Sequence, residues 1–197
     1  MNEIAIFPLN VVVFPEGELP LRLFEPRYLD MVKRCMRKDI GFGICLISKG
    51  NEAGVPAEIN LFGTYVRIID WEQLPGGLLG ITVKGEKRFR IESSWLQDDN
   101  LRIADITYLD EDDDIIPENY QGFSELLKQI AERYELEIAD EEERFEKATW
   151  VSERLAEILP FELSMKQTLL EMDKPLQRFD LMQALLEKVE AGEFNQI

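Results

Sequence analysis

A chain of 197 residues with no histidine has few routes to acid–base or nucleophilic chemistry at neutral pH. Ser-His-Asp and Cys-His systems, histidine-bearing zinc sites and the usual imidazole base are all excluded. A Ser-Lys pair survives on composition, but no Ser-x-x-Lys occurs. Gly80-Ile-Thr-Val-Lys-Gly85-Glu86-Lys87 has the glycines of a phosphate loop, yet Glu86 stands where that loop needs lysine and Lys87 where it needs a hydroxyl, so a β-hairpin with two turn glycines is expected instead. Asp110, Asp112 and Asp114 imitate a calcium loop, but Ile115 replaces its glycine and Gln121 its closing glutamate, which leaves a solvated acidic linker. Glu25 and Arg27 flank Pro26 as a charge pair; Glu25 suits a helix start and Arg27 a neighbouring carboxylate. Arg88 and Arg90 alternate with Phe89 and Ile91 and read as the polar face of a strand. Cys35 and Cys45 match no zinc or redox spacing and are expected to be reduced core residues. No cofactor, metal or catalytic residue is implied.

The elements that must carry these residues change character along the chain. Prolines 8, 15, 20 and 26 punctuate an apolar stretch, and no long helix can pass through them. Residues 3–7 and 9–14 are expected to be strands. Pro26 suits the first position of a helix over 26–38, with Asp30 and Arg34 as an i,i+4 pair and Gly41-Phe-Gly43 as its end. Runs at 44–48, 60–70, 78–83, 87–93 and 101–108 carry strand composition, with a hairpin turn at Pro75-Gly-Gly77. Close turns and many short strands favour a closed or half-closed antiparallel architecture. After the acidic run at 110–114, helical periodicity takes over in segments near 118–136, 140–158, 162–172 and 174–190, the last stopping near Gly192. Trp150, Leu155, Phe179 and Leu186 are expected in the core.

Charge divides the chain at the same place. Residues 1–109 hold 13 Lys and Arg against 15 Asp and Glu, and residues 110–197 hold 9 against 24, which together give the formal charge of −17. Such an acidic surface repels phosphate backbones, so nucleic acid is not an expected partner. Neither a targeting segment nor a long apolar run is present, so no membrane association and a cytoplasmic location are expected.

The order Phe7-Pro-Leu, an apolar run ending in Phe14-Pro15, then Leu19-Pro-Leu-Arg-Leu-Phe-Glu-Pro-Arg-Tyr28 resembles the start of the substrate-binding, amino-terminal domain of the Lon protease family. Gly41-Phe-Gly-Ile-Cys-Leu-Ile47, Gly85-Glu-Lys-Arg-Phe-Arg-Ile91, Trp150-Val-Ser-Glu-Arg-Leu-Ala-Glu-Ile-Leu-Pro160 and Lys166-Gln-Thr-Leu-Leu-Glu171 continue that pattern. The resemblance implies an α+β protein, with a PUA-like antiparallel β-barrel over residues 1–110 followed by a C-terminal helical bundle over 117–192. It also implies a non-enzymatic module that captures unfolded or hydrophobic polypeptide segments, with a protease or chaperone as further partner. Three alternatives stand beside it: a PUA-like nucleic-acid-binding protein, which the charge opposes, an enzyme of unrecognised type, and a structural scaffold in a protein assembly.

Loop tips are usually polar, and two here are not. Phe14, Pro15 and Leu19 bracket Glu16-Gly17, and Leu78 with Leu79 follows the Gly-Gly turn. These five residues are the candidate peptide-binding set, in a groove where their loops approach the helical region.

Overall fold

The computed structural model describes residues 2–111, 114–136, 138 and 142–190. It is a mixed α+β protein of two compact units, Met1–Leu109 and Asp110–Ile197.

The first unit contains β1 (Asn2–Leu9), β2 (Glu18–Leu23), helix α1 (Pro26–Lys38), β3 (Phe42–Lys49), β4 (Glu58–Gln73), β5 (Leu79–Leu96) and β6 (Arg102–Tyr108). Pairing runs in a cycle: β1 with β3, β3 with β4, β4 with β5, β5 with β6, and β6 back to β1. β2 lies outside the cycle, antiparallel to the first third of β5. The sheet is therefore not wholly antiparallel, because β1 and β3 pair in parallel, Ile6 opposite Gly43 through Leu9 opposite Leu46. The reason is the connection: β2 and α1 intervene between them, a crossover that returns the chain to run in the same direction. Pro8 is tolerated within β1 because the β6 ladder ends at Ile6 opposite Arg102, so its missing N–H leaves no gap in that ladder.

Two expected strands take other forms. Residues 12–14 are not a strand but a loop whose side chains are buried, with Thr64 Oγ1 donating to the Val13 carbonyl at 2.5 Å. The expected hairpin across residues 80–87 is instead continuous β5. Its register slips between Tyr65 opposite Lys87 and Val66 opposite Gly85, so the glycine marks a bulge and not a turn. Gly85 is required by close approach, since a Cβ there would lie 2.3 Å from the Phe14 carbonyl oxygen. The turn between β4 and β5 falls at Pro75–Gly77, where Gly76 and Gly77 both have φ of 80° and Leu74 N–H closes on the Leu78 carbonyl at 2.9 Å.

Pro26 opens α1, but Glu25 makes no side-chain cap. The helix ends one step before the glycines, with Asp39 in the left-handed region, and Asp30 pairs with Lys33 at 3.1 Å in place of Arg34. Gly41 is fixed by space instead, because a Cβ would meet the Val66 carbonyl oxygen at 2.0 Å. Tyr28, Met31, Val32 and Cys35 form the buried stripe of α1, packed with Phe7, Phe42, Ile44, Val66 and Ile81 in the main core. Burial raises the pKa of both thiols, Cys35 and, more strongly, Cys45, which keeps them protonated and unreactive.

The second unit contains α2 (Gln121–Arg133), α3 (Ala148–Ile158), α4 (Leu163–Glu171) and α5 (Pro175–Glu190). α3 is shorter than its periodicity suggests: a 3-10 turn spans Glu142–Glu146, and residues 140 and 141 of the expected helix lie outside the described residues, as does Gly192. α3 contacts α2, α4 and α5, and every residue from Trp150 to Ala156 is buried. Burying Ser152, Glu153 and Arg154 among them demands partners. Arg178 of α5 is fully buried and pairs with Glu153 at 3.2 Å, while Arg154 pairs with Glu157 at 2.7 Å. Trp150 stands edge-on to Phe145, Leu155 and Phe179 are fully buried, and Leu186 is only half-buried, Leu185 taking the inward position instead. Among the described residues no helix is long and apolar enough to cross a membrane.

Candidate functional site

The five sequence candidates fall into two groups. Phe14 is fully buried and Pro15 is buried, so neither presents a surface. Their loop is locked by its own backbone: Glu16 N–H donates to the Gly85 carbonyl at 2.7 Å, Gly85 N–H to the Gly17 carbonyl at 2.9 Å, and Gly17 N–H to the Phe14 carbonyl at 3.0 Å. An apolar loop tip here is core material that the strand β5 bulge wraps against, which sequence alone did not distinguish from an exposed patch. Leu19 and Leu79 are half-buried, and Leu78 remains 37% exposed.

The register shows what Leu19 and Leu79 belong to. Directly opposed residues share a sheet face, so three rows cross β2, β5 and β4: Leu19, Val83 and Ile68; Leu21, Ile81 and Trp71; Leu23, Leu79 and Gln73. The middle of this face is core, with Val83 and Ile81 buried. Its margin is not: Trp71 is 57% exposed, and Phe24, just past β2, is 62% exposed. Two clefts flank β2 and share Pro20, Leu21 and Arg22, one lined also by Asp70, Trp71, Glu72, Leu74 and Ile81, the other by Phe7, Leu9, Leu23, Phe24, Tyr28, Glu25 and Glu52. Their volumes of about 210 and 230 Å³ fall short of the roughly 300–1,000 Å³ of a small-molecule pocket, so they suit single side chains of a larger partner. The opposite face of β2 carries Glu18, Pro20 and Arg22, all exposed. A proline and two charges blunt that edge against pairing with another strand.

Arg27 holds the second cleft in shape. It is 7% exposed, pairs with Glu25 at 2.9 Å, and donates to the carbonyls of Asn100 at 3.1 Å and Gly54 at 3.2 Å, drawing two loops to the start of α1. Its guanidinium also lies 4.7 Å from the centre of the Tyr28 ring, and that ring stacks on Phe7. Burial in this setting raises the Tyr28 pKa, so the phenol stays neutral. The charge pair seen in the sequence is thus a structural clamp under an apolar cleft. Arg88, expected on the polar face of a strand, is instead fully buried, and only Arg90 is solvated, paired with Glu92 at 2.9 Å. Nothing in an alternating Arg-Phe-Arg-Ile pattern could reveal that inversion. Trp71 and Phe24 could have been found, since each follows a polar or extended stretch near a turn, but the sequence gives no row to connect them to Leu21. Among the described residues no group of acidic or cysteine side chains is arranged to hold a metal ion.

The family described as the ATP-dependent protease La (LON) substrate-binding domain matches residues 3–188. A Lon protease from Cytophaga hutchinsonii is 25% identical over 196 residues, 94% of this chain and 24% of that protein. A Lon protease 1 from Syntrophobacter fumaroxidans is 26% identical over 179 residues, 84% of this chain and 21% of that one. The chain thus spans about a quarter or less of the length of these relatives. The crystal structure of a Lon N-terminal domain protein from Xanthomonas campestris superposes with a TM-score of 0.79 at 30% identity, covering 93% of this chain and 98% of that one. The N-terminal domain of a Mycobacterium avium complex Lon protease shares the fold, with a TM-score of 0.68 at 16% identity over 91% of this chain and 95% of that one.

Proposed function

The chain belongs to the Lon substrate-binding domain family, and from that premise we propose that it is a cytoplasmic, non-enzymatic module that captures unfolded or hydrophobic polypeptide segments. The closed cycle of strands is then the family's PUA-like barrel and the four helices its bundle. The observation that carries the proposal is the apolar margin of the β2–β5–β4 face, where Trp71, Phe24 and Leu78 stay exposed over half-buried Leu19, Leu21 and Leu79. Phe14 and Pro15 are buried and do not touch the client.

Exposed apolar side chains cost little singly, but a tryptophan and a phenylalanine beside two side-chain-sized clefts offer anchors of the kind that dominate protein interfaces. A client presenting two large apolar side chains in extended chain would fill both clefts across Leu21. Release demands weak binding, so affinity should be micromolar, about 8 kcal/mol. A protease or chaperone that receives the client is the natural further partner. The test is fluorescence anisotropy of a reduced, permanently unfolded model protein against wild type and the Trp71→Ser, Leu78→Ser double variant. Binding should fall at least tenfold in the variant while its denaturation curve is unchanged. Equal binding would place the capture surface elsewhere, and no binding by either would favour a scaffold role.

A further inference from the structure

We infer that the exposed face of the second half of α1 is a separate docking surface for acidic polypeptide segments that also carry apolar residues. Among the 13 Lys and Arg of residues 1–109, all but Arg22, Arg34, Arg37 and Lys38 take part in an ion pair, hydrogen bond or ring contact. Three of these uncompensated cations stand within five positions on one helix. Arg34 and Lys38 are four residues apart and so project from the same side, one turn from each other. Ile40, just past the end of the helix, is exposed beside them at 44%.

Basic residues in a last turn complement the helix dipole, which accounts for Arg37 and Lys38 as helix stabilisers. It does not account for Arg34, nor for Ile40 left in solvent in the same cleft as Arg34 and Lys38. Arg34, Lys38 and Ile40 also line a cleft of about 300 Å³ with Tyr65, Gln97 and Glu3, the last being its one carboxylate. Tyr65 is held there by accepting the Gly41 N–H at 2.5 Å. In a chain whose formal charge is −17, an acidic partner is repelled by most of the surface, so a compact cationic patch determines where it can land. Charge complementarity selects an acidic segment, and Ile40 adds the requirement for an apolar residue within it.

This surface is independent of the apolar margin on β2, β5 and β4. The experiment uses a labelled peptide of three Asp-Phe-Glu-Leu repeats, its Asn-Phe-Gln-Leu counterpart, oligoglutamate and oligothymidylate, with the full chain. The acidic apolar peptide should bind about tenfold more tightly than the neutral one, and its affinity should fall as salt rises. Arg34→Gln, Arg37→Gln, Lys38→Gln should remove that advantage, a loss of about tenfold for three exposed ion pairs. Glutamine keeps helix propensity, so the fold should hold; should it not, Ile40→Ser provides the second variant and should weaken the peptide while leaving oligoglutamate unaffected. Equal binding of the peptide to wild type and the triple variant overturns the inference. So does equal binding of oligoglutamate or oligothymidylate, which marks a general polyanion site, and so does sedimentation showing a self-associated wild type that the triple variant dissolves. Trp71→Ser, Leu78→Ser should leave the advantage of the acidic over the neutral peptide intact, which keeps the two surfaces distinguishable.

Discussion

Replacing Phe14 separates a core residue from a binding residue more cleanly than any other single change. Its ring is fully buried, in a loop fixed by the Thr64 hydroxyl on the Val13 carbonyl and by three backbone hydrogen bonds around Gly17 and Gly85. Phe14→Ala removes a buried aromatic from a site that cannot collapse, because Gly85 already approaches the Phe14 carbonyl as closely as a missing Cβ allows. The expected loss is about 3–5 kcal/mol. With a urea dependence of about 1–2 kcal/mol per molar for a unit of this size, the midpoint should drop by roughly 2 M or more. The assay is urea unfolding followed by a signal of the first unit, since two units need not unfold together. Leu78→Ser, at a residue already 37% exposed, should move the midpoint by less than about 0.5 M. The reasoning is refuted if Phe14→Ala shifts the midpoint no more than Leu78→Ser while abolishing client binding, since Phe14 would then be a surface anchor.

Trp150→Ala should cost about 3–5 kcal/mol by chemical denaturation, for a buried indole edge-on to Phe145 and under the Arg144 guanidinium. Breaking the buried Arg178–Glu153 pair with Glu153→Gln or Arg178→Met alone should destabilise by about 3 kcal/mol or more, while the double replacement by apolar residues of similar size should cost less than either; a double variant equal to the sum of the singles would show that the pair is not coupled. Stability of the first unit should fall as pH rises above about 9, because Cys35, Cys45, Tyr28 and Tyr108 all have their pKa raised by burial, so the unfolded chain releases protons that the folded chain keeps. Lys166, lowered by burial in the second unit, works in the opposite sense near its ordinary value of 10.5. ATP, phosphate and calcium should show no binding tighter than about 10 μM by calorimetry, since Glu86 faces Arg67 as an ion-pair partner at 3.1 Å and is not available to a phosphate loop.

Much of the first unit was legible because its signals are local. Pro26 marks a helix start, Pro75-Gly-Gly77 marks a hairpin, and alternating β-branched runs mark strands, all settled within a few residues. What failed depended on contacts distant in sequence. Gly85 looks like a turn glycine until Phe14, more than seventy positions away, is seen pressed against it. Val12 to Phe14 look like a strand by composition, yet bury their side chains without a ladder. Arg88 and Arg178 look solvated because charge usually is, and their full burial follows from tertiary surroundings alone. The candidate site shows the same division: Leu19, Leu78 and Leu79 were visible as apolar residues near turns, whereas the row that joins Leu21, Ile81 and Trp71 exists only in the register of three strands.

Capture by apolar burial at the β2–β5–β4 margin is tested most directly by calorimetry of the chain with an unfolded client at several temperatures and at salt from about 50 to 500 mM, a range over which exposed charge interactions are largely screened. Burial of Trp71, Phe24 and Leu78 against a client predicts a negative heat-capacity change on binding and an affinity that holds as salt rises. A heat-capacity change near zero, with affinity falling steeply as salt is added, would contradict it.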